Sequence, residues 1–169
     1  MNAEMAYPLL IMKNKKIPGI LATACALALT ACDSGADEPD GEDGWRAIDA
    51  GDHSAIEDET RVVINDGKTW NAWWKEHAKN IHDTSQPDGI KAPEVDFEKE
   101  TVLVATLGMR SSGGHSIRFA GVNLDGETLT ATLQTTSPGP EDIVTMALTY
   151  PFAIIAVPKH EGEVVFVVK

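Results

Sequence analysis

The residues of this chain that could bind a metal, relay a proton or attack a carbonyl are few and scattered. His53, His77, His82, His115 and His160 stand at intervals that match no zinc-ligand spacing, and no His-Glu-x-x-His occurs. Ser111, Ser112 and Ser116 lie close together, but no Gly-x-Ser-x-Gly elbow surrounds them. No glycine-rich phosphate loop leads into a helical pattern. The residue types of a Ser/His/Asp set are present, and nothing local assembles them. The sequence therefore predicts no catalytic residue, no metal, no cofactor and a noncatalytic role.

Two segments carry patterns that binding can use. Gly108-Met109-Arg110-Ser111-Ser112-Gly113-Gly114-His115-Ser116 joins one apolar run to an alternating one. Glycines permit positive φ and close approach of another backbone, and loops held on a rigid sheet often carry recognition. The same glycines also suit a long hairpin turn, and both readings stand. On the first, Arg110, Ser111, Ser112, Gly113, Gly114, His115 and Ser116 form a partner-binding surface. Arg110 is its expected anchor, because Arg is enriched among binding hot spots, and the 137–143 loop is a further candidate. The second segment places Trp70, Trp73, Trp74 and His77 at i, i+3, i+4 and i+7, one face of a helix. The favoured reading packs this face on a sheet, with His77 as a packed histidine. The alternative exposes it as a site for a small ligand or glycan, or for a hydrolase.

The elements that must position these segments are mostly strands. Thr60–Ile64 predicts a short strand, ended by Asn65-Asp66-Gly67, with Asp66 as cap of the following helix. Thr101–Leu107 is almost continuously apolar and reads as a central strand. His115–Val122 and Glu127–Thr135 alternate about the hairpin signal Asp125-Gly126. Val144–Leu148, Phe152–Val157 and Glu163–Val168 read as three more. Residues 45–59 read as polar and irregular, with Trp45 near an exposed tether, and 80–93 as a loop. The expected fold class is α+β: a mainly antiparallel sheet of about seven strands with one Trp-rich helix packed on it.

The first 44 residues read as an address. Lys13, Lys15 and Lys16 precede an apolar run from Ile17 to Ala31. At about 15 residues the run is too short to span a bilayer and fits a signal-peptide h-region. It ends in Leu29-Thr30-Ala31-Cys32, which resembles a bacterial lipobox and implies cleavage before Cys32 and lipidation of that residue. Residues 1–31 are then the expected signal peptide, with Met1 and Met12 as alternative translation starts, because Met1–Ile11 does not fit the pattern ahead of the lysines. Residues 32–44 are the lipidated cysteine and an acidic tether too rich in charge and glycine to fold, without the spacing of a calcium loop. Residues 45–169 form one domain. Cys25 leaves with the signal and Cys32 is consumed by lipid, so no disulfide is expected. The expected location is the bacterial cell envelope, lipid-anchored on the periplasmic face or the cell surface.

The whole chain carries a net charge of −12, and residues 32–169 carry −14. That balance excludes a general affinity for nucleic acid, which needs clustered Lys and Arg, and it would repel an anionic membrane surface. Contact with the membrane is therefore expected through the N-terminal lipid alone.

The strand and loop VLVATLGMRSSGGHSIRF, the threonine-rich strand and the closing TYPFAIIAVPK resemble the PrcB C-terminal domain family over approximately residues 60–160. Gly108, Arg110, Gly113, Gly114, Ser116, Ile117, Tyr150, Pro151 and Pro158 match its pattern, and Val95-Asp96-Phe97 resembles its lead-in. His115 stands where the family usually has Tyr, and Ser111 where Pro is common. The family is named for a lipoprotein subunit of a protease complex. The resemblance implies a noncatalytic accessory or regulatory module that binds an envelope or secreted protein, a protease in the namesake, and stabilises or inhibits it.

Overall fold

The computed structural model describes residues 44–81 and 90–169. The expected signal peptide, Cys32, the expected tether up to residue 43 and His82 lie outside the described residues. The described elements are β1 (Arg46–Gly51), β2 (Arg61–Ile64), α1 (Gly67–His77), β3 (Glu100–Thr106), β4 (Ser116–Asp125), β5 (Thr128–Thr136), β6 (Phe152–Pro158) and β7 (Glu163–Val168), with a 3-10 turn at Ala78–Asn80 closing the helix.

The strands form two sheets rather than one. The first has the order β1-β6-β3-β2 and is antiparallel throughout; the second has the order β4-β5-β7. β3 and β6 are its two central strands, and this explains their continuous apolar sequences. Leu103, Ala105, Ala153, Ile155 and Val157 face the second sheet, where they meet Ile117, Phe119, Leu129, Ala131 and Leu133. Val102, Val104, Phe152 and Ile154 face the other way and are covered by Trp70 and Trp74 of α1. Each large side chain so buried contributes about 1.5–3 kcal/mol. The described residues thus stack in three layers: helix, first sheet, second sheet.

The helix begins where the sequence predicts. The Asp66 carboxylate accepts the Thr69 N–H at 2.8 Å and the Thr69 hydroxyl at 2.7 Å. These bonds hold its pKa below the ordinary Asp value and satisfy an N–H that the helix leaves unpaired.

In β4 the alternation Ile117, Phe119 breaks before Val122. A bulge between Phe119 and Gly121 inserts Ala120 and returns Val122 to the core. The hairpin to β5 turns on Gly126, at φ +59°. β5 buries Leu129, Ala131 and Leu133 and turns its threonines outward.

Besides the single sheet, three sequence expectations are corrected. Residues 45–59 contain β1, an edge strand whose polar sequence is ordered by backbone pairing to β6 and bent by a bulge at Ile48. Trp45 is 6% exposed and belongs to the core between the sheets. Val144–Leu148 is not a strand, because only isolated contacts tie it to its neighbour. β5 and β7 pair in parallel, whereas the other described strand pairs are antiparallel, as the sequence mainly predicts. The chain leaves β5, reverses along β6 in the first sheet and reverses again, so β7 re-enters the second sheet in the direction of β5.

Candidate functional site

The pairing of β3 with β6 continues past both strand ends as separate contacts. The Leu107 N–H donates to the Pro151 carbonyl at 2.8 Å. Arg110 and Thr149 exchange two backbone bonds, 2.8 and 3.0 Å, and the Gly113 N–H reaches the Thr145 carbonyl at 3.0 Å. The buried Thr149 hydroxyl donates to the Ser112 carbonyl at 2.8 Å. Residues 107–113 therefore run antiparallel to 145–151, and the glycine-rich segment is backed by a second one.

Close approach explains the glycines. At Gly108, with φ +71°, a Cβ would stand 2.6 Å from the Glu57 carbonyl oxygen, because residues 57–59 cross directly over it. A Cβ on Gly113 would collide with the Thr145 hydroxyl. Gly114, with φ +83°, has the Val144 side chain 3.3 Å and Pro138 3.4 Å from the same position.

The seven expected binding residues do not form one uniform surface. Gly113 is buried and acts as a spacer. Ser111, Gly114 and Ser116 are exposed, and Arg110, Ser112 and His115 are half-buried. The Arg110 guanidinium stands 3.6 Å from the Glu59 carboxylate, which also pairs with Arg61 at 3.0 Å. The His115 ring lies between the Ser137 hydroxyl at 3.2 Å and the Ser112 hydroxyl at 3.4 Å.

What the scaffold presents is apolar. Ile143 and Met146 are 103% and 99% exposed, Leu148 60% and Met109 50%. Single exposed apolar residues are ordinary, but several carried close together mark an interaction surface. The strand reading of 144–148 concealed them. Pro138 and Pro140 before the run, and apolar residues at both odd and even positions within it, were the signals against a half-buried strand. Beside the loop, a cleft of about 510 Å³ opens between the edges β1 and β4. Trp45, Phe119 and Ile155 line it, His115 and Ser116 stand at its lip, and Asp52 and Arg118 add charge.

A Ser/His/Asp set does assemble elsewhere. The Ser54 hydroxyl and His77 Nδ1 are hydrogen-bonded at 2.9 Å, and His77 Nε2 faces the Asp49 carboxylate at 3.9 Å. Ser54 is 1% exposed and His77 fully buried, so this serine cannot meet an external substrate. Ser54 also accepts the Ile56 N–H at 3.1 Å, which makes it a turn residue under the helix. His77 packs its ring against Trp73, Trp74 and Phe152.

The tryptophan face is likewise spent on packing. Trp70 and Trp74 are 2% and 5% exposed, and their indole N–H groups donate to the carbonyls of Pro93 and Ile90 at 2.9 and 3.0 Å. Trp73 alone of the three is partly open. Among the described residues no group of His, Cys, Asp and Glu could hold a metal ion.

No curated protein and no solved structure matches this chain. A family match exists for the segment that builds the site. Residues 101–158, running from β3 through the glycine-rich loop to the end of β6, match the PrcB C-terminal family.

Proposed function

We propose that this chain is a lipid-anchored, noncatalytic accessory module of the bacterial cell envelope that binds a protein partner through the glycine-braced loops. The contact surface is the Arg110–Ser116 loop together with Met109, Ile143, Met146 and Leu148. The partner is an envelope or secreted protein, with a protease as the first candidate. Binding stabilises or inhibits it.

One observation carries this reading. Apolar side chains stand in solvent on a segment that is itself tied by backbone hydrogen bonds to Arg110 and Gly113. A surface held open before binding loses little conformational entropy when a partner covers it. The family match over 101–158 supports a protease-associated role. Cys32 with its preceding lysines and apolar run supports the anchor. The burial of Ser54 and of the Trp70/Trp74 face speaks against the hydrolase and glycan alternatives.

The test is capture from the native envelope after mild crosslinking, read by mass spectrometry, with wild type compared against Met146→Ser/Leu148→Ser and against Arg110→Ala. A protein enriched by wild type and lost with both variants supports the reading and names the partner. A profile identical for all three, with each variant folded, overturns it.

A further inference from the structure

β7 ends the second sheet, and among the described residues no strand pairs with its outer edge. The other three edges are blunted. β1 and β4 carry bulges, at Ile48 and Ala120, and β2 is four residues long and begins with Arg61. β7 has no proline, no register shift and no charge within its span from Val164 to Val168. Natural sheets seldom leave such an edge bare.

The sequence of this edge is self-complementary. Glu163-Val164-Val165-Phe166-Val167-Val168-Lys169 places two valines on either side of one Phe, an acid at one end and a base at the other. We infer that β7 pairs antiparallel with β7 of a second copy of this chain, about a two-fold axis at Phe166. Glu163 of each copy then lies opposite Lys169 of the other. Val164 lies opposite Val168, Val165 opposite Val167, and Phe166 opposite itself.

The backbone accommodates this register. The Lys169 N–H donates to the Leu133 carbonyl of β5 at 2.9 Å. Successive residues of a strand point their N–H and C=O groups to opposite sides, so odd positions of β7 face β5 while Val164, Phe166 and Val168 face the free edge. An antiparallel pair hydrogen-bonds outward residues to outward residues, and a two-fold at Phe166 sets 164 opposite 168 and 166 opposite 166. Burial points the same way. Val164 and Phe166 are only partly buried against the core, and Val168 is 53% exposed, so a second copy would cover the flank that the fold leaves open. The resulting six-stranded sheet is isologous and closed, as a two-fold dimer must be. This interface uses the far edge of the second sheet from β4 and is independent of the partner-binding reading.

Sedimentation equilibrium of the full chain in detergent micelles tests the pairing. Wild type is expected to show a monomer–dimer equilibrium. Glu163→Lys and Lys169→Glu each turn two attractive pairs into two repulsive ones and raise the dimer Kd about tenfold. The double exchange Glu163→Lys/Lys169→Glu restores it to within about twofold. Val168→Pro removes an outward N–H that β5 does not use and also raises Kd by about tenfold or more, with an unchanged circular dichroism spectrum. A strictly monomeric wild type, a dimer indifferent to all four variants, or a double exchange that fails to restore association would each overturn the inference.

Discussion

Gly113 and Thr145 are joined backbone to backbone at 3.0 Å, with no room for a side chain between them. This contact fixes the height at which the 143–148 segment stands above the glycine-rich loop. Gly113→Ala must push the Thr145 side chain away or break the bond. Overpacking of this kind costs about 1–3 kcal/mol. Gly121 has open space around its Cβ position, so Gly121→Ala is the control, expected within about 0.5 kcal/mol of wild type. Chemical denaturation of the two variants checks the difference. Equal stability would show that Thr145 yields freely.

Met146→Ser removes a side chain that stands almost wholly in solvent, and Leu148→Ser one that is 60% exposed. Each is expected to leave stability within about 0.5 kcal/mol of wild type. Arg110→Ala loses a partly exposed ion pair with Glu59 and is expected to cost at most about 1 kcal/mol. All three variants should therefore lose partner capture while keeping the wild-type urea midpoint within these limits. A large fall in the midpoint for Met146→Ser would mean that this side chain packs, contrary to its 99% exposure.

The parts of this fold legible in the sequence are those where local pattern and final burial agree. Thr101–Leu107 is apolar because both its faces are covered, and Leu129, Ala131 and Leu133 alternate because one face is wet. Asp66 announces the helix because its cap needs only Thr69, three residues away. β1 was not legible, since Ala47, Asp49 and Gly51 show no apolar alternation and their order comes from β6, about a hundred residues distant. The parallel return of β7 depends on β6 lying in the other sheet, a fact that no local pattern records. At the site, the glycines were visible but their reason was not. Gly108 answers to the backbone at 57–59 and Gly113 to Thr145, both distant in sequence.

The burial of the tryptophans has a direct optical consequence. Trp45, Trp70 and Trp74 are 6%, 2% and 5% exposed, and only Trp73 is partly open. Emission is expected to be blue-shifted, with iodide quenching a minor fraction that Trp73→Phe removes. Trp70→Ala should cost about 3–5 kcal/mol, the usual range for deleting a buried aromatic, and should also lose the bond to the Pro93 carbonyl. Full quenching by iodide would show the aromatic face to be open to ligands and would revive the glycan reading.

Acid sensitivity is expected at the pair that ties β1 to β3 across β6. Arg46 grips Glu100 with two hydrogen bonds, both 2.8 Å. The guanidinium holds the Glu100 carboxyl below its ordinary pKa, against the opposing effect of burial. A carboxyl with a lower pKa in the folded chain takes up its proton more readily when the chain unfolds. Its contribution is therefore complete above the ordinary Glu value of 4.5 and disappears as pH falls through the lower, folded value. Arg46 is 41% exposed, so solvent screening limits the pair to about 0.5–1 kcal/mol. Glu100→Gln should be less stable than wild type by that amount at pH 7, and the two should converge as the pH is lowered below the folded pKa of Glu100. Urea denaturation of both proteins between pH 7 and pH 2 measures the gap. Because every other carboxyl is common to the two proteins, a gap that stays constant across this range would show that the ion pair contributes nothing and that Glu100 acts only by filling space.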